Sequence, residues 1–142
     1  MGKKKEEPLR VVFDTNVLVP ALLFGGRLSW IIESWKGGSL MPCLTKETYE
    51  ELRDVLYYPK FKLTEKEIGR VIKEDILPFF EVIEAAESVN GLCRDADDDK
   101  FISCAIAAGA AFLVTGDSAL LDVEKYKPVR IIRATELFEI LA

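Results

Sequence analysis

Short apolar runs and longer mixed segments alternate along this chain. The runs Leu9 to Phe13, Leu40 to Leu44, Phe80 to Ile83, Ala111 to Val114 and Val129 to Arg133 read as five strands. The first does not alternate with polar residues, which marks a strand covered on both faces. Between the runs lie helical segments. Val17 to Phe24 predicts a helix or ordered loop closed by Gly25-Gly26, and Leu28 to Lys36 a helix stopped by Gly37-Gly38. Thr45 predicts an N-cap for a helix from Lys46 to Tyr57, and Thr64-Glu65-Lys66-Glu67 has capping-box spacing for one running to about Leu77. Phe101 to Ala110, Ser118 to Leu121 and Thr135 to Leu141 complete the helices, and Asn90-Gly91 marks a turn. Strands alternating with helices predict one α/β domain, a mostly parallel sheet with helices on both faces.

Two of the strands deliver a carboxylate at their carboxyl end, where an open α/β sheet binds ligands. The first run passes into Asp14-Thr15-Asn16, and the fourth into Thr115-Gly116-Asp117. Asp14 can equally cap the helix that follows, as Asp, Thr and Asn all do. A third acidic position precedes the Phe101 helix, in Arg94-Asp95-Ala96-Asp97-Asp98-Asp99-Lys100. Aspartates at a helix start gain about 0.3–1 kcal/mol each from its dipole, but one or two would serve that purpose, and the excess points to a cation. The fourth position is Glu51. With Leu52 at the centre of its helix's apolar face, Glu51 lies about 100° round, at the stripe's edge, while Glu50 lies about 160° away in solvent.

Composition narrows the chemistry. At 142 residues and 49% hydrophobic, the chain suits a single domain over residues 9–142, with residues 1–8 as a flexible charged tail lacking a secretory apolar centre. No apolar run of about 18 residues is present, so no membrane span is expected. Cys43, Cys93 and Cys104 are odd in number and lack metal-type spacing, which reads as reduced, buried thiols in a cytoplasmic protein. The absence of histidine excludes Ser-His-Asp hydrolysis and histidine-ligated zinc. A net charge of −5 argues weakly against a nucleic-acid partner, although acids gathered in one site can mask a basic rim.

The four acidic positions can converge on one edge of the sheet. Two carboxylates about 4 Å apart repel by roughly 4 kcal/mol at an effective dielectric near 20, so several require raised pKa values or a bound cation. Oxygen-only ligands favour Mg²⁺ or Mn²⁺, and such a site suits phosphodiester hydrolysis. The bland alternative is a set of unrelated caps and surface charges. A phosphatase of the haloacid-dehalogenase type also uses a strand-end aspartate with Mg²⁺, but it wants a second aspartate where this chain has Asn16.

These motifs, Val11-Val12-Phe13-Asp14-Thr15-Asn16-Val17-Leu18, Thr45 to Leu52, Arg94 to Phe101 and Thr115-Gly116-Asp117, together resemble those of PIN-domain nucleases. The likeness is greatest to the prokaryotic group named as toxin components of toxin–antitoxin pairs. It implies a three-layer α/β/α fold with five parallel strands in order 3-2-1-4-5, and a Mg²⁺- or Mn²⁺-dependent endoribonuclease acting on single-stranded or structured RNA. It implies catalytic roles for Asp14, Glu51, Asp98 and Asp117, with Asp95 and Asp99 close enough to join them as metal ligands, and supporting roles for Asn16 and Thr115. RNA, an antitoxin protein and a second copy of the chain are the partners it implies. Arg53, Lys60, Lys62 and Lys100, with Tyr57, Tyr58 and Arg94, are candidates for strand contact, and exposed charge explains each equally well. A PIN-like RNA-processing or RNA-binding module without a toxin role is the alternative.

Overall fold

The computed structural model describes residues 7–84 and 91–142; most of the expected tail and Asn90 of the expected turn lie outside them. β1 (Leu9–Phe13) is central and leads into α1 (Thr15–Phe24) and α2 (Ser29–Lys36). Then come β2 (Leu40–Leu44), α3 (Lys46–Leu56), α4 (Glu65–Arg70) and β3 (Glu81–Val82). The second half holds α5 (Asp99–Ala108), β4 (Phe112–Val114), α6 (Ser118–Leu121), β5 (Lys125–Tyr126), β6 (Val129–Ile132) and α7 (Ala134–Leu141).

The sheet runs β3-β2-β1-β4-β6-β5. Five strands are parallel in the expected order, and β5 adds a sixth that is antiparallel to β6. This extra strand departs from the five-strand expectation. It arises because Lys127, at φ 53°, and Pro128 turn the chain back on itself, so that Tyr126 pairs with Val129. The pair Lys125-Tyr126 is too short to signal a strand by periodicity, and Lys-Pro is not one of the usual hairpin turns.

Two apolar cores, one on each face of the sheet, explain the unbroken hydrophobic runs. Val11 and Phe13 of β1 and Phe112 and Val114 of β4 pack with Leu18, Ile31, Trp35, Leu52, Leu56 and Leu137. The intervening Val12 and Leu113 point the other way, onto Phe101, Ile102, Cys104 and Ala105 of α5 and Leu120 of α6. Successive strand residues face opposite sides, so a strand sandwiched between helix layers must be apolar at every position.

Most expected boundaries shift by a residue or two, and three of the shifts have a clear physical cause. The helix expected over Phe101 to Ala110 begins at Asp99 and stops at Ala108, where Gly109 takes the left-handed conformation at φ 62°. The helix expected from Thr64 to Leu77 keeps its capping box, but from Val71 to Ile76 it widens into a π-helix, with the Leu77 amide bonding the Ile72 carbonyl at 2.9 Å. The third strand is shorter than Phe80 to Ile83, because Phe80 turns inward against Trp35, ring centroids 4.9 Å apart. Among the described residues no single helix is long and apolar enough to cross a membrane.

α3 is the element whose placement matters most for function. Thr45 and Thr48 cap it reciprocally, and Thr48, Leu52 and Leu56 form its buried stripe, as the helical wheel requires. Leu52 is fully buried. Leu52→Ala is expected to destabilise the protein by about 2–5 kcal/mol, through lost transfer energy and the cavity left behind. Chemical denaturation measures that loss; a change within 0.5 kcal/mol, roughly the scatter of neutral surface substitutions, would contradict the packing.

Candidate active site

The β1–β4 pairing sets Phe13 beside Val114, so the residues that follow, Asp14 and Thr115, emerge side by side at the sheet's carboxyl edge. The Asp14 amide bonds the Val114 carbonyl at 2.9 Å, and the Thr115 amide bonds the Ile132 carbonyl at 2.9 Å. Asp14 is 2% exposed and Thr115 is fully buried. Each oxygen of the Asp14 carboxylate has its own partner. Oδ1 accepts from the Asn16 amide at 3.2 Å, capping α1, and Oδ2 accepts from the Thr115 hydroxyl at 2.7 Å. Capping and site placement are therefore one arrangement. Burial raises the pKa of Asp14, against the lowering effect of the Thr115 and Asn16 hydrogen bonds, while the charges of Glu51 and Asp117 push it up further.

Asp117 repeats the pattern at the end of β4. Its amide donates to the Thr115 hydroxyl at 3.0 Å, and its Oδ1 caps α6 by accepting from the Ala119 amide at 2.9 Å. One threonine oxygen thus ties two strand-end aspartates together. Asp98 completes the group. Its carboxyl is pushed up to about 7, by burial first and then by the side-chain hydrogen bond and charge of Asp117, whose own pKa is lowered by that same bond. The buried Oδ2 of Asp98 has no donor. An acid beside an ionised partner resolves this by keeping its proton and sharing it.

Glu51 reaches the cluster from α3, as its wheel position predicts. Thr15 Oγ1 donates to Oε2 at 2.5 Å, and Lys100 Nζ pairs with Oε1 at 2.7 Å. Burial is the largest single influence on Lys100 and lowers its pKa, but the bond to Glu51 and the charges of Glu51, Asp97 and Glu47 together outweigh it, and the net shift is upward. Asp14, Asn16, Glu51, Asp95, Asp97 and Asp98 line one cleft of about 420 Å³. The same cleft is also lined by apolar and aromatic side chains, including Phe24, Tyr58 and Phe61.

The acids do not gather as tightly as a shared cation would hold them. Among the described residues, no three of the Asp, Glu and Cys side chains lie close enough together to bind one ion. Asp99, expected near the metal, faces elsewhere. Its oxygens accept from the Gly91 and Cys93 amides, both at 2.9 Å, and fasten the preceding loop. Asp95 lies at the cleft but caps the short turn before α5 through the Asp97 amide at 3.0 Å. The thiols offer no nucleophile: burial pushes Cys93 up to about 12 and Cys104 up to about 11.

The PIN-domain sequence model matches residues 10–119, more than half of the chain and every strand-end acid described above. The chain belongs to the PIN-domain family. PIN domains are generally nucleases. This PIN domain is 31% identical over 137 residues to the uncharacterized protein MJ1680 of Methanocaldococcus jannaschii, covering 89% of this chain and 84% of that protein. Among solved structures it shares its fold with PAE2754 of Pyrobaculum aerophilum, at TM-score 0.61 and 17% identity, covering 95% of this chain and 90% of the other. The PIN domain endonuclease Utp24 gives TM-score 0.57 at 17% identity, covering 91% and 87% of the two chains. VapBC2 from Rickettsia felis, solved bound to a DNA fragment from its promoter, gives 0.57 at 16%, covering 88% and 98%.

The candidate strand-contact residues divide by what already holds them. Arg53 is paired with Asp54 at 3.6 Å, Arg94 with Asp122 at 2.9 Å, and Lys100 with Glu51. Lys100 also borders a depression lined by Glu47, Glu50 and Asp54. Lys60 lines the acidic cleft itself, and Lys62 lines neither. The sequence suggested no role for Thr15, Phe24 or Phe61, and it offered Asp97 only as one of a run of acids. The one available signal for Thr15 was its place between two polar residues straight after a strand.

Two measurements follow from this geometry. Thr115→Val keeps the side chain's shape but strips Asp14 Oδ2 of its donor, and is expected to destabilise by about 1–3 kcal/mol. Urea denaturation of the purified variant checks it, and unchanged stability would deny the bridge. The raised pKa of Asp98 gives a signed pH effect. Folding retains a proton between the ordinary aspartate range and about pH 7, so this group's contribution is full at the acid end and is lost as pH rises through about 7. Asp14, also raised, acts in the same sense; the lowered Asp117 acts only below the ordinary range. In chelator, the melting temperature should fall from pH 5.5 to pH 8, and Asp98→Asn should flatten that fall. An equal slope in both proteins would refute the shared proton.

Proposed function

We propose that this PIN domain is an endoribonuclease that hydrolyses phosphodiester bonds of single-stranded or structured RNA with Mg²⁺ or Mn²⁺. The observation that carries the reading is the Thr115 bridge, which fixes two strand-end aspartates beside the half-neutralised Asp98, with Glu51 on the same cleft. A cytoplasmic role as the toxin component of a toxin–antitoxin pair is the biological setting we favour, resting on the likeness of the motifs to that prokaryotic group. The fold shared with VapBC2 supports it, and an antitoxin protein and a second copy of the chain are the partners that setting supplies. The fold shared with the endonuclease Utp24 supports an alternative RNA-processing role.

The donor chemistry suits a hard divalent ion: carboxylate oxygens, no histidine, and a buried Asp98 oxygen that lacks any partner. Asp14, Asp98 and Asp117 are the residues that would hold it, drawn closer together than they now stand, with Glu51 as a further donor once released from Lys100. When bound, the ion supplies an acidified water and stabilises charge on the phosphoryl group. The residues supply the rest. Thr115 orients Asp14, and the helix starts of α1 and α6 hold one oxygen each of Asp14 and Asp117, leaving defined directions for the others. Asp98 holds a removable proton near neutral pH. Lys100 keeps Glu51 compensated when no ion is present.

Digestion of single-stranded RNA with and without Mn²⁺ tests the reading. Asp14→Asn and Asp117→Asn should each lower cleavage by about a hundredfold or more while leaving the circular dichroism spectrum intact. Full activity in either variant would overturn the assignment. Millimolar Mn²⁺ should also raise the melting temperature of the native chain, because it binds the folded state preferentially.

A further inference from the structure

The cleft is lined by two unlike sets of side chains, and the carboxylates are only one of them. The other comprises Phe24 at the end of α1, Val55 of α3, and Tyr58, Lys60 and Phe61 of the turn that follows α3. Phe24 is 69% exposed and Tyr58 49% exposed. Phe24 leans on Phe61 with ring centroids 6.2 Å apart, so it is propped in place although its outer face is bare. A large apolar ring left in water beside other aromatics, at the mouth of a polar cleft, is the kind of surface that marks a binding site. Lys60 Nζ stands 5.1 Å from the centre of the Phe61 ring and forms no ion pair among the described residues. Among the described residues, the acidic cleft therefore carries a cation with no ion-pair partner beside its aromatic side chains.

We propose that Phe24, Phe61 and Tyr58 form a base-stacking subsite. It takes one unpaired nucleobase of the strand whose backbone crosses the acid wall, with Lys60 holding an adjacent phosphate. The inference rests on the nuclease reading and narrows it. A base can reach this wall only when it is unstacked and unpaired, so the subsite selects single-stranded segments over duplex. Stacking on aromatic faces is tolerant of base identity, so the wall sets strandedness and register rather than sequence. The net charge of −5 makes such a contact useful, because a polyanion gains little from the protein's field as a whole. A protein partner would also cover an aromatic surface. The nucleobase is favoured because this wall shares one cleft with the carboxylates and carries a free cation at phosphate-binding reach of the rings.

The test is binding of a short single-stranded oligoribonucleotide containing 2-aminopurine to the full chain, in chelator, followed by the quenching that stacking produces. Phe24→Ala should weaken binding roughly tenfold and relieve the quenching, Phe24→Tyr should restore both, and a matched duplex should bind more weakly than the single strand. Because Phe24 is mostly exposed, its truncation leaves the core untouched; Lys60→Gln should weaken binding and lessen its salt dependence. Unchanged affinity and quenching in Phe24→Ala, or equal binding of duplex and single strand, overturns the subsite and leaves the wall to a protein partner. Cleavage by the native chain alongside that result would leave the nuclease reading standing. Phe24-dependent binding with no cleavage at any metal concentration would instead keep the subsite and sink the nuclease.

Discussion

Taking a carboxylate out of water is expensive, and this protein does so beside other carboxylates. Asp14 is 2% exposed, with the charges of Glu51 and Asp117 both acting on it. Three compensations make the arrangement stable. A fully buried threonine hydroxyl serves Asp14 and the Asp117 backbone at once, helix starts hold one oxygen of each strand-end acid, and Lys100 neutralises Glu51. Asp98 is the remainder, an acid pushed up to about 7 by burial first and then by the bond to and charge of Asp117, with no partner at its Oδ2. The layout of the rest follows from this constraint. Strands must end where these partners stand, and α3 must present Glu51 without exposing Leu52.

How much of this could be read from the sequence depended on range. The strand ends at Asp14 and Asp117 were legible because a buried strand shows as an unbroken apolar run and the acid follows at once. The orientation of Glu51 was legible because a helix repeats every 3.6 residues and Leu52 fixes its phase. A supporting role for Thr115 followed from the motif resemblance, but its partner was not legible. Its hydroxyl meets Asp14 across 101 positions, and the hydrophobic pattern of neither segment encodes that meeting. The direction in which Asp99 turns was hidden for a related reason. It stands in a run of acids, but the amides of Gly91 and Cys93 claim it, and only the path of the intervening loop decides which aspartate turns inward. The sixth strand escaped notice because two residues carry no period.

The two sets of side chains that line the cleft come from different parts of the architecture. The acids stand at the ends of strands and at a helix start, where backbone hydrogen bonds fix them within the sheet's own geometry. The aromatics stand where α1 ends and on the turn after α3, farther from the sheet. Pro20 and Gly25 shape that end of α1: the Gly25 amide bonds the Pro20 carbonyl at 3.2 Å, and the chain then reverses through a positive φ. Acids set on the sheet and aromatics set on its connections are a sensible division of labour. Atoms that must be placed within tenths of an ångström sit on the scaffold, and groups that need only offer a flat surface sit on its connections.

The margins of the sheet carry a consequence of their own. An open parallel sheet exposes unpaired amides and carbonyls along its outermost strands, which invites neighbouring molecules to add strands indefinitely. Here the Lys127-Pro128 hairpin folds β5 over one flank, and β5 is only two residues long. The opposite flank ends on β3, also two residues, where Glu81 is tied to Arg10 at 2.7 Å. Neither border offers a ladder long enough to template lateral growth. A chain rich in buried, strand-forming segments thereby keeps them from seeding fibrils at its borders.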